Sequence, residues 1–342
     1  MKNIFKTFVL ALTVFSALLS SSCDYKKTAL GEHEIIYVFA DSLLWLDVKD
    51  SVLATFDDYI YTPRAERSFI LEWLPLSQLN GVKGRMNLMF IGTTKAGNDV
   101  NDFLLKSVPA EFIQSVNNDR NFYFFKDDLY LANQISIFMI ARDVDSFKRN
   151  FDNTKENIYR QFQKKYYARL EKSMFDRGEQ TDLEDFLVEN YSYKVRVQHD
   201  YFLANQSLEE KYVWLRRLDP DRWISIWHLN ADSSVLTIDS LESIRNVMTA
   251  KYYGGDVVVT DETHLDTVLF RGQETVKLTG TWRNDSLLIG GPFRLYAIQD
   301  KQNSLYLVDI AVMAPDKNKK PFLDQLEVIA GTFEIVGKAK KD

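Results

Sequence analysis

The stretch from Asp143 to Gly178, DVDSFKRNFDNTKENIYRQFQKKYYARLEKSMFDRG, decides how the rest of the chain is read. Phe147, Phe151, Ile158, Phe162, Tyr166 and Leu170 recur at spacings of four and seven. At about 3.6 residues per turn, those positions share one face of a helix. Asp143 or Asp145 is placed to cap its start, and Gly178 to end it in a left-handed conformation. At ~1.5 Å per residue such a helix reaches ~50 Å. Lys164, Lys165, Arg169 and Lys172 read as its solvated face.

Strand-rich sequence lies on both sides. Before the helix, Glu34–Ala40, Ser68–Leu74, Met86–Ile91, Phe122–Phe125 and Ile135–Ala141 are short apolar runs that predict strands. Helical spacing over 43–58, and Pro109 opening 109–116, predict helices between them. After it, Thr181-Asp182-Leu183-Glu184 has the spacing of a capping box. Tyr193–Val197, Val213–Arg217 and Trp223–Leu229 then predict strands, and Leu241, Ile244, Met248 and Tyr252 a helix stopped by Gly254-Gly255. A run of strands from Val257 to Met313 leads to a last helix with Pro321 at its start. Short turns join most strands, so the expected class is α+β, with antiparallel sheets, flanking helices and one long central helix. The loose strand, helix, strands, helix order on each side allows two similar halves, although no residue-level repeat supports a duplication. The expected organisation is a body at 34–336, with sub-halves at 34–142 and 190–336 joined by helix 143–178, and a basic tail at 337–342.

Composition bounds the function. The 342 residues include 46% hydrophobic and 26% charged residues, which is ordinary for a globular chain. Aromatic residues stand out, with 23 Phe, 17 Tyr and 6 Trp, and point to a sheet-rich core or an aromatic platform for sugars or lipids. The net charge is −6, and loss of residues 1–22 with Lys2 and Lys6 leaves 40 basic against 48 acidic residues, or −8. Nucleic acid binding, which rests on a basic footprint, is disfavoured.

The N-terminus reads as a cleaved signal peptide over 1–22. Lys2 and Lys6 precede the apolar run Phe8–Leu19, and Ser20-Ser21-Ser22 meets Cys23. A run of twelve residues is too short for a bilayer core, which needs about 20. Cys23 is the one cysteine of the chain, and its setting resembles a bacterial lipobox, in which the thiol is acylated by palmitate-class chains. Ser20 stands where that pattern carries leucine, with Leu19 one place earlier. Residues 23–33 read as a tether, and Lys26-Lys27 in place of an acidic cluster favour an outer-membrane lipoprotein facing the periplasm.

The most distinctive motif lies between Leu278 and Phe333. Trp282 follows Gly280-Thr281, and Gly290-Gly291-Pro292-Phe293 follows a turn; paired glycines before proline point to a bulge or a close backbone approach. Trp223 and Trp227 share one face of a strand, as core or as a stacking platform. The Trp-containing strand, Gly-Gly-Pro-Phe, Ala314-Pro315 and the closing helix with Leu326-Glu327 resemble an uncharacterised lipoprotein family of Bacteroidota, a domain of unknown function. Trp45, Pro63, Glu66 and Phe69 fit the same pattern, while Ile289 stands where it carries methionine. The resemblance implies an anchored envelope protein and supplies no activity.

Catalytic signatures are missing from the sequence. His33, His199, His228 and His264 are isolated, and neither a His-Glu-x-x-His nor a Gly-x-Ser-x-Gly occurs. The sequence therefore calls for no metal, no cofactor and no catalytic residue. Asp219, Asp221 and Arg222 beside Trp223 are the first suspects for carboxylate chemistry, and a turn after Pro220 explains them equally. The expected role is non-enzymatic binding or assembly in the envelope, with a membrane contact through Cys23 and a protein or glycan partner. The alternatives are an envelope hydrolase using paired carboxylates and a carrier of an apolar or glycan ligand.

Overall fold

The computed structural model describes residues 26–61, 64–300 and 304–336. Cys23, the signal segment 1–22 and the tail 337–342 lie outside the described residues. In chain order the strands are β1 (Ile35–Ala40), β2 (Tyr59–Tyr61), β3 (Ala65–Arg67), β4 (Ile70–Leu74), β5 (Asn87–Thr93), β6 (Tyr123–Asp127) and β7 (Ile135–Ala141). There follow β8 (Tyr193–Lys194), β9 (Phe202–Ser207), β10 (Tyr212–Arg217), β11 (Asp221–Leu229), β12 (Val257–Val258), β13 (His264–Phe270), β14 (Gln273–Asn284), β15 (Ile289–Gln299), β16 (Leu305–Met313) and β17 (Glu334–Ile335). The helices are α1 (Ser42–Phe56), α2 (Leu79–Val82), α3 (Asp99–Ser107), α4 (Ala110–Asn117), α5 (Val144–Phe175), α6 (Thr181–Tyr191), α7 (Ile238–Tyr252) and α8 (Lys320–Ala330). The class is α+β.

α5 is the long helix. Asp143 caps it: Asp143 Oδ1 accepts the Ser146 N–H at 2.8 Å, and the Asp143 N–H donates to Ser146 Oγ at 3.0 Å. Phe147, Phe151, Ile158, Phe162 and Tyr166 are buried, and Gly178 beyond its end has φ +110°. Arg169 departs from the expected solvated face, being 7% exposed, whereas Lys172 stays outside and pairs with Asp176 at 2.7 Å.

The described residues form two compact units, one from those within 1–47 and 72–147, the other from those within 48–71 and 148–342. Neither is a continuous half, so the division differs from the expected sub-halves at 34–142 and 190–336.

The first unit holds a sheet of order β4-β1-β5-β7-β6. β1, β5 and β7 run parallel and β6 antiparallel, so this sheet is mixed rather than antiparallel. β5 and β7 are buried along their whole lengths, as parallel strands covered on both faces are. Register stacks Phe39, Phe90, Phe138 and Phe124 across four strands, with ring centroids 5.2, 4.9 and 4.9 Å apart. A Cβ on Gly92 would lie 2.3 Å from Leu104 Cδ1, so glycine there lets α3 close on β5. Residues 27–30, expected within the tether, are docked instead. Ala29 donates to the Ala132 carbonyl at 2.8 Å, Ala132 donates to Lys27, and Ala29 is 1% exposed.

The second unit is built on an antiparallel sheet of order β12-β14-β15-β16-β11-β10-β9, with β13 also paired to β14. Strand alternation sends Trp282, Phe293, Leu295 and Trp223 to one face, where Leu241 of α7 joins them. Ile224, Ile226, Val308, Ile310 and Val312 take the other face, with Leu323, Leu326 and Ile329 of α8. Between α7 and the sheet, Arg245 pairs with Asp309 at 2.8 Å, both side chains fully buried, and the Tyr253 hydroxyl donates to the same carboxylate at 2.8 Å. The expected capping box at Thr181 is not formed: Glu184 instead accepts the Val197 N–H at 2.7 Å. The two units differ in strand number, order and direction, so they are not two similar halves.

Candidate binding recess

A recess of about 1220 Å³ opens within the second unit, on the α8 side of its sheet. Register builds its floor. Lys277 lies opposite Tyr296 and Thr279 opposite Arg294 on β14 and β15, while β13 sets His264 beside Thr279 and Asp266 beside Lys277. Directly opposed residues share a face, so these polar side chains line the floor while Leu278, Phe293 and Leu295 between them enter the core behind. α8 contributes Lys320, Asp324 and Glu327 at i, i+4 and i+7, one stripe of a helix. α5 contributes Tyr159, Gln163, Tyr166 and Tyr167, and the segment around the β2–β3 hairpin contributes Asp58, Tyr59, Ser68 and Phe69.

Most of the lining is already committed. Asp324 is fully buried; its Oδ2 accepts from Tyr166 at 2.6 Å and from Lys320 at 2.5 Å, and its Oδ1 from Tyr167 at 3.2 Å. Glu327 accepts from Arg294 Nη1 through one oxygen and from the Tyr296 hydroxyl through the other. Burial would raise the Glu327 carboxyl, but the Arg294 guanidinium and the Tyr296 hydrogen bond outweigh it and hold the group below the ordinary range. Burial, reinforced by the neighbouring carboxylates, pushes the Tyr167 and Tyr296 phenols well above theirs, so both remain hydroxyl donors. Asp58 accepts from Tyr159 at 2.6 Å and from Ser68 at 3.1 Å.

The exceptions define the site. Arg294 is 9% exposed, and its Nε has no hydrogen-bond partner among the described residues. The Lys277 ammonium likewise has no hydrogen bond or ion pair among them, and burial lowers its pKa, with Arg294 adding to the effect against the pull of Glu327. At the rim, Asp261 is exposed; Asp266, opposite Lys277 on the floor, pairs with His264 at 2.9 Å. Six carboxylates face three cations in the lining, an excess of negative charge. Among the described residues no group of three or more His, Cys, Asp or Glu is placed to hold a metal ion.

The residues singled out from sequence lie elsewhere. Trp282, Phe293 and Trp223 are 2%, 0% and 4% exposed on the α7 face, and Trp227 is half-buried beside them, its Nε1 donating to the Glu210 carbonyl at 3.0 Å. A Cβ on Gly291 would fall 1.9 Å from the Val312 carbonyl oxygen, and one on Gly290 2.6 Å from that of Trp282. Pro292 is buried between them and Phe293, opposite Thr281. Asp221 is tied to Arg216 at 2.8 Å, and Arg222 to the Pro220 carbonyl at 2.8 Å, at a turn where Asp219 has φ +55°. The missed signal was alternation in Thr275–Trp282, TVKLTGTW, whose odd positions are polar and even positions apolar or glycine. A smaller pocket of about 550 Å³ in the first unit is apolar, between Phe103, Phe112, Phe124 and Phe138.

Among the described residues no helix is long and apolar enough to cross a membrane. No curated protein matches this chain. A solved structure from Bacteroides thetaiotaomicron is similar over 44% of this chain and 47% of its own, at 11% identity and TM-score 0.28; the chain thus spans about half of that protein. LpqN, involved in cell envelope biogenesis of Mycobacterium tuberculosis, is similar over 42% of this chain and 83% of its own, at 15% identity and TM-score 0.28. The cyanobacterial PsbP of Synechocystis is similar over 42% and 86%, at 11% identity and TM-score 0.27. Residues 29–175 match the family model of a domain of unknown function, DUF8532, and residues 179–332 match that of a second domain of unknown function, DUF4837.

Proposed function

We propose that this chain is a lipid-anchored protein of the cell envelope that works by binding, with the recess of the second unit as its ligand site. The observation that carries this reading is the half-buried Lys277 ammonium on the floor, without a hydrogen bond or ion pair among the described residues, in a recess whose carboxylates Asp324 and Glu327 are already paired. A half-buried cation with donors to spare gives a ligand acceptor a charge-assisted hydrogen bond. A hydrolase is less well supported. General acid catalysis needs a carboxyl held above its ordinary range, whereas Glu327 is held below it and Asp324 is saturated with donors. Anchoring rests on Cys23 and the run before it, and an outer-membrane position facing the periplasm follows from the residues after it.

Two measurements test the two parts. Thr279→Trp places a large ring on the floor of the recess. Compounds from a library of envelope metabolites that raise the Tm of the wild type should leave that of Thr279→Trp unchanged. Equal shifts in both proteins would place binding outside the recess. For the anchor, Cys23→Ser should move the protein from the membrane fraction to the soluble fraction, and full retention in the membrane would refute lipidation.

A further inference from the structure

We infer that the ligand is a cationic amino sugar or a short oligomer of one, a step that rests on the recess being the ligand site. Three features of the recess ask for different things from one molecule. The floor offers a donor, the half-buried Lys277 ammonium, which can take an acceptor such as a hydroxyl or ring oxygen. The rim offers an acceptor: Asp261 is exposed with no side-chain hydrogen bond among the described residues. The half-buried rings of Tyr159 and Tyr167 also line the recess, their hydroxyls donating to Asp58 and Asp324, which suits the apolar face of a sugar. An apolar ligand would leave the floor and rim unpaired. An anionic ligand would satisfy the floor, but six lining carboxylates against three cations repel it. A polyol answers floor and rings, and an ammonium group answers the excess negative charge at the rim through charge-assisted hydrogen bonds.

The strand register separates these parts. Along β14, Lys277 and Thr281 are four residues apart, ~13 Å, and Thr281 Oγ1 donates to Glu262 beside Asp261. That span exceeds a single ring and favours an oligomer of two or three units.

Titration calorimetry on the full mature chain tests this with three probes: a glucosamine trimer, its fully N-acetylated counterpart and a galacturonate trimer. The glucosamine trimer should bind most tightly, the N-acetylated trimer at least tenfold more weakly, and the galacturonate trimer not measurably. Asp261→Asn, at an exposed position, should weaken the glucosamine trimer about tenfold and leave the N-acetylated trimer unchanged. Lys277→Met removes a cation without breaking an ion pair, so it should stay folded by circular dichroism while weakening both sugars. Preference for the galacturonate trimer, or affinities indifferent to Asp261→Asn, would overturn the inference. Failure of all three probes would also overturn it; library compounds that stabilise the wild type but not Thr279→Trp would then keep the recess as the site of another ligand class.

Discussion

Gly291 shows how tightly a single position is specified. Its would-be Cβ meets the Val312 carbonyl at 1.9 Å, and that carbonyl belongs to the β16 backbone, which cannot swing aside as a side-chain tip does. Gly291→Ala should therefore already destabilise the protein, and Gly291→Val more so, by roughly 1–3 kcal/mol or above. Phe293, fully buried with the Arg245 guanidinium 3.9 Å from its ring centre, should cost about 3–5 kcal/mol on truncation to Ala. Urea unfolding of both variants decides the matter, and wild-type midpoints would return the motif to the list of surface binding loops. Glu327 allows a prediction in pH. Its folded-state carboxyl is depressed, so its stabilising effect is complete above the ordinary carboxyl range, near pH ~4.3, and is lost as pH falls through the lower folded value. Glu327→Gln should cost ~2 kcal/mol at neutral pH, because it removes the ionic partner of a nearly buried arginine. The gap between wild type and Glu327→Gln in unfolding free energy should then narrow as pH falls from 5 toward 3. A constant gap across that range would show that the carboxylate charge contributes nothing.

At the scale of elements, what was legible followed from periodicity, and what was not followed from partners far away in sequence. The α5 stripe from Phe147 to Tyr166 repeats a local pattern that packing only had to accept, and Asp143 lies within reach of the first turn. The parallel pairing of β1, β5 and β7 was hidden because their apolar runs read the same in either direction. The polar face of β14 was written in its alternation but needed β15 and α8 opposite it to become a site. The start of α8 is the sharpest case. Its own N-cap residue, Lys319, makes no side-chain cap. Glu66 of β3, 253 and 254 residues away, accepts the Lys319 and Lys320 N–H groups at 2.7 and 3.0 Å instead. A carboxylate there meets free donors and the positive end of the helix dipole at once. Glu66→Ala should lower stability by about 1 kcal/mol, and Glu66→Gln by less, since the amide oxygen still accepts but carries no charge. Because α8 carries Lys320, Asp324 and Glu327, fraying of its first turn should also raise hydrogen exchange at Lys319 and Lys320. Unchanged exchange in Glu66→Ala would mean that water replaces the cap at no cost.

For the whole molecule, the second unit takes residues 48–71 from ahead of the segment that completes the first unit. Those residues are part of its core. Val52, Phe56 and Phe69 are 0%, 1% and 4% exposed. The Phe56 ring lies 5.7 Å from that of Phe162, and Phe69 lies 5.7 Å from Tyr159 and 6.1 Å from Tyr166. The same segment supplies Asp58 to Tyr159 and Glu66 to α8. A fragment of residues 148–342 keeps the sheet and helices α5 to α8 beyond Lys148 but loses all of this. Truncating one buried phenylalanine costs about 3–5 kcal/mol, and a domain has only about 5–15 kcal/mol in all. The fragment should therefore lack a sharp unfolding transition and should bind a dye that reports exposed apolar surface. Joining 48–71 to residue 148 through a flexible linker of about 20 glycine and serine residues, which spans ~25 Å on average, should restore a single cooperative transition. Scrambling the 48–71 segment in that fusion should abolish the gain, separating specific packing from the effect of added chain. A fragment of 148–342 that melts as sharply as the fusion would show that the unit folds without its early segment, and that Phe56, Phe69 and Glu66 decorate a core complete in itself.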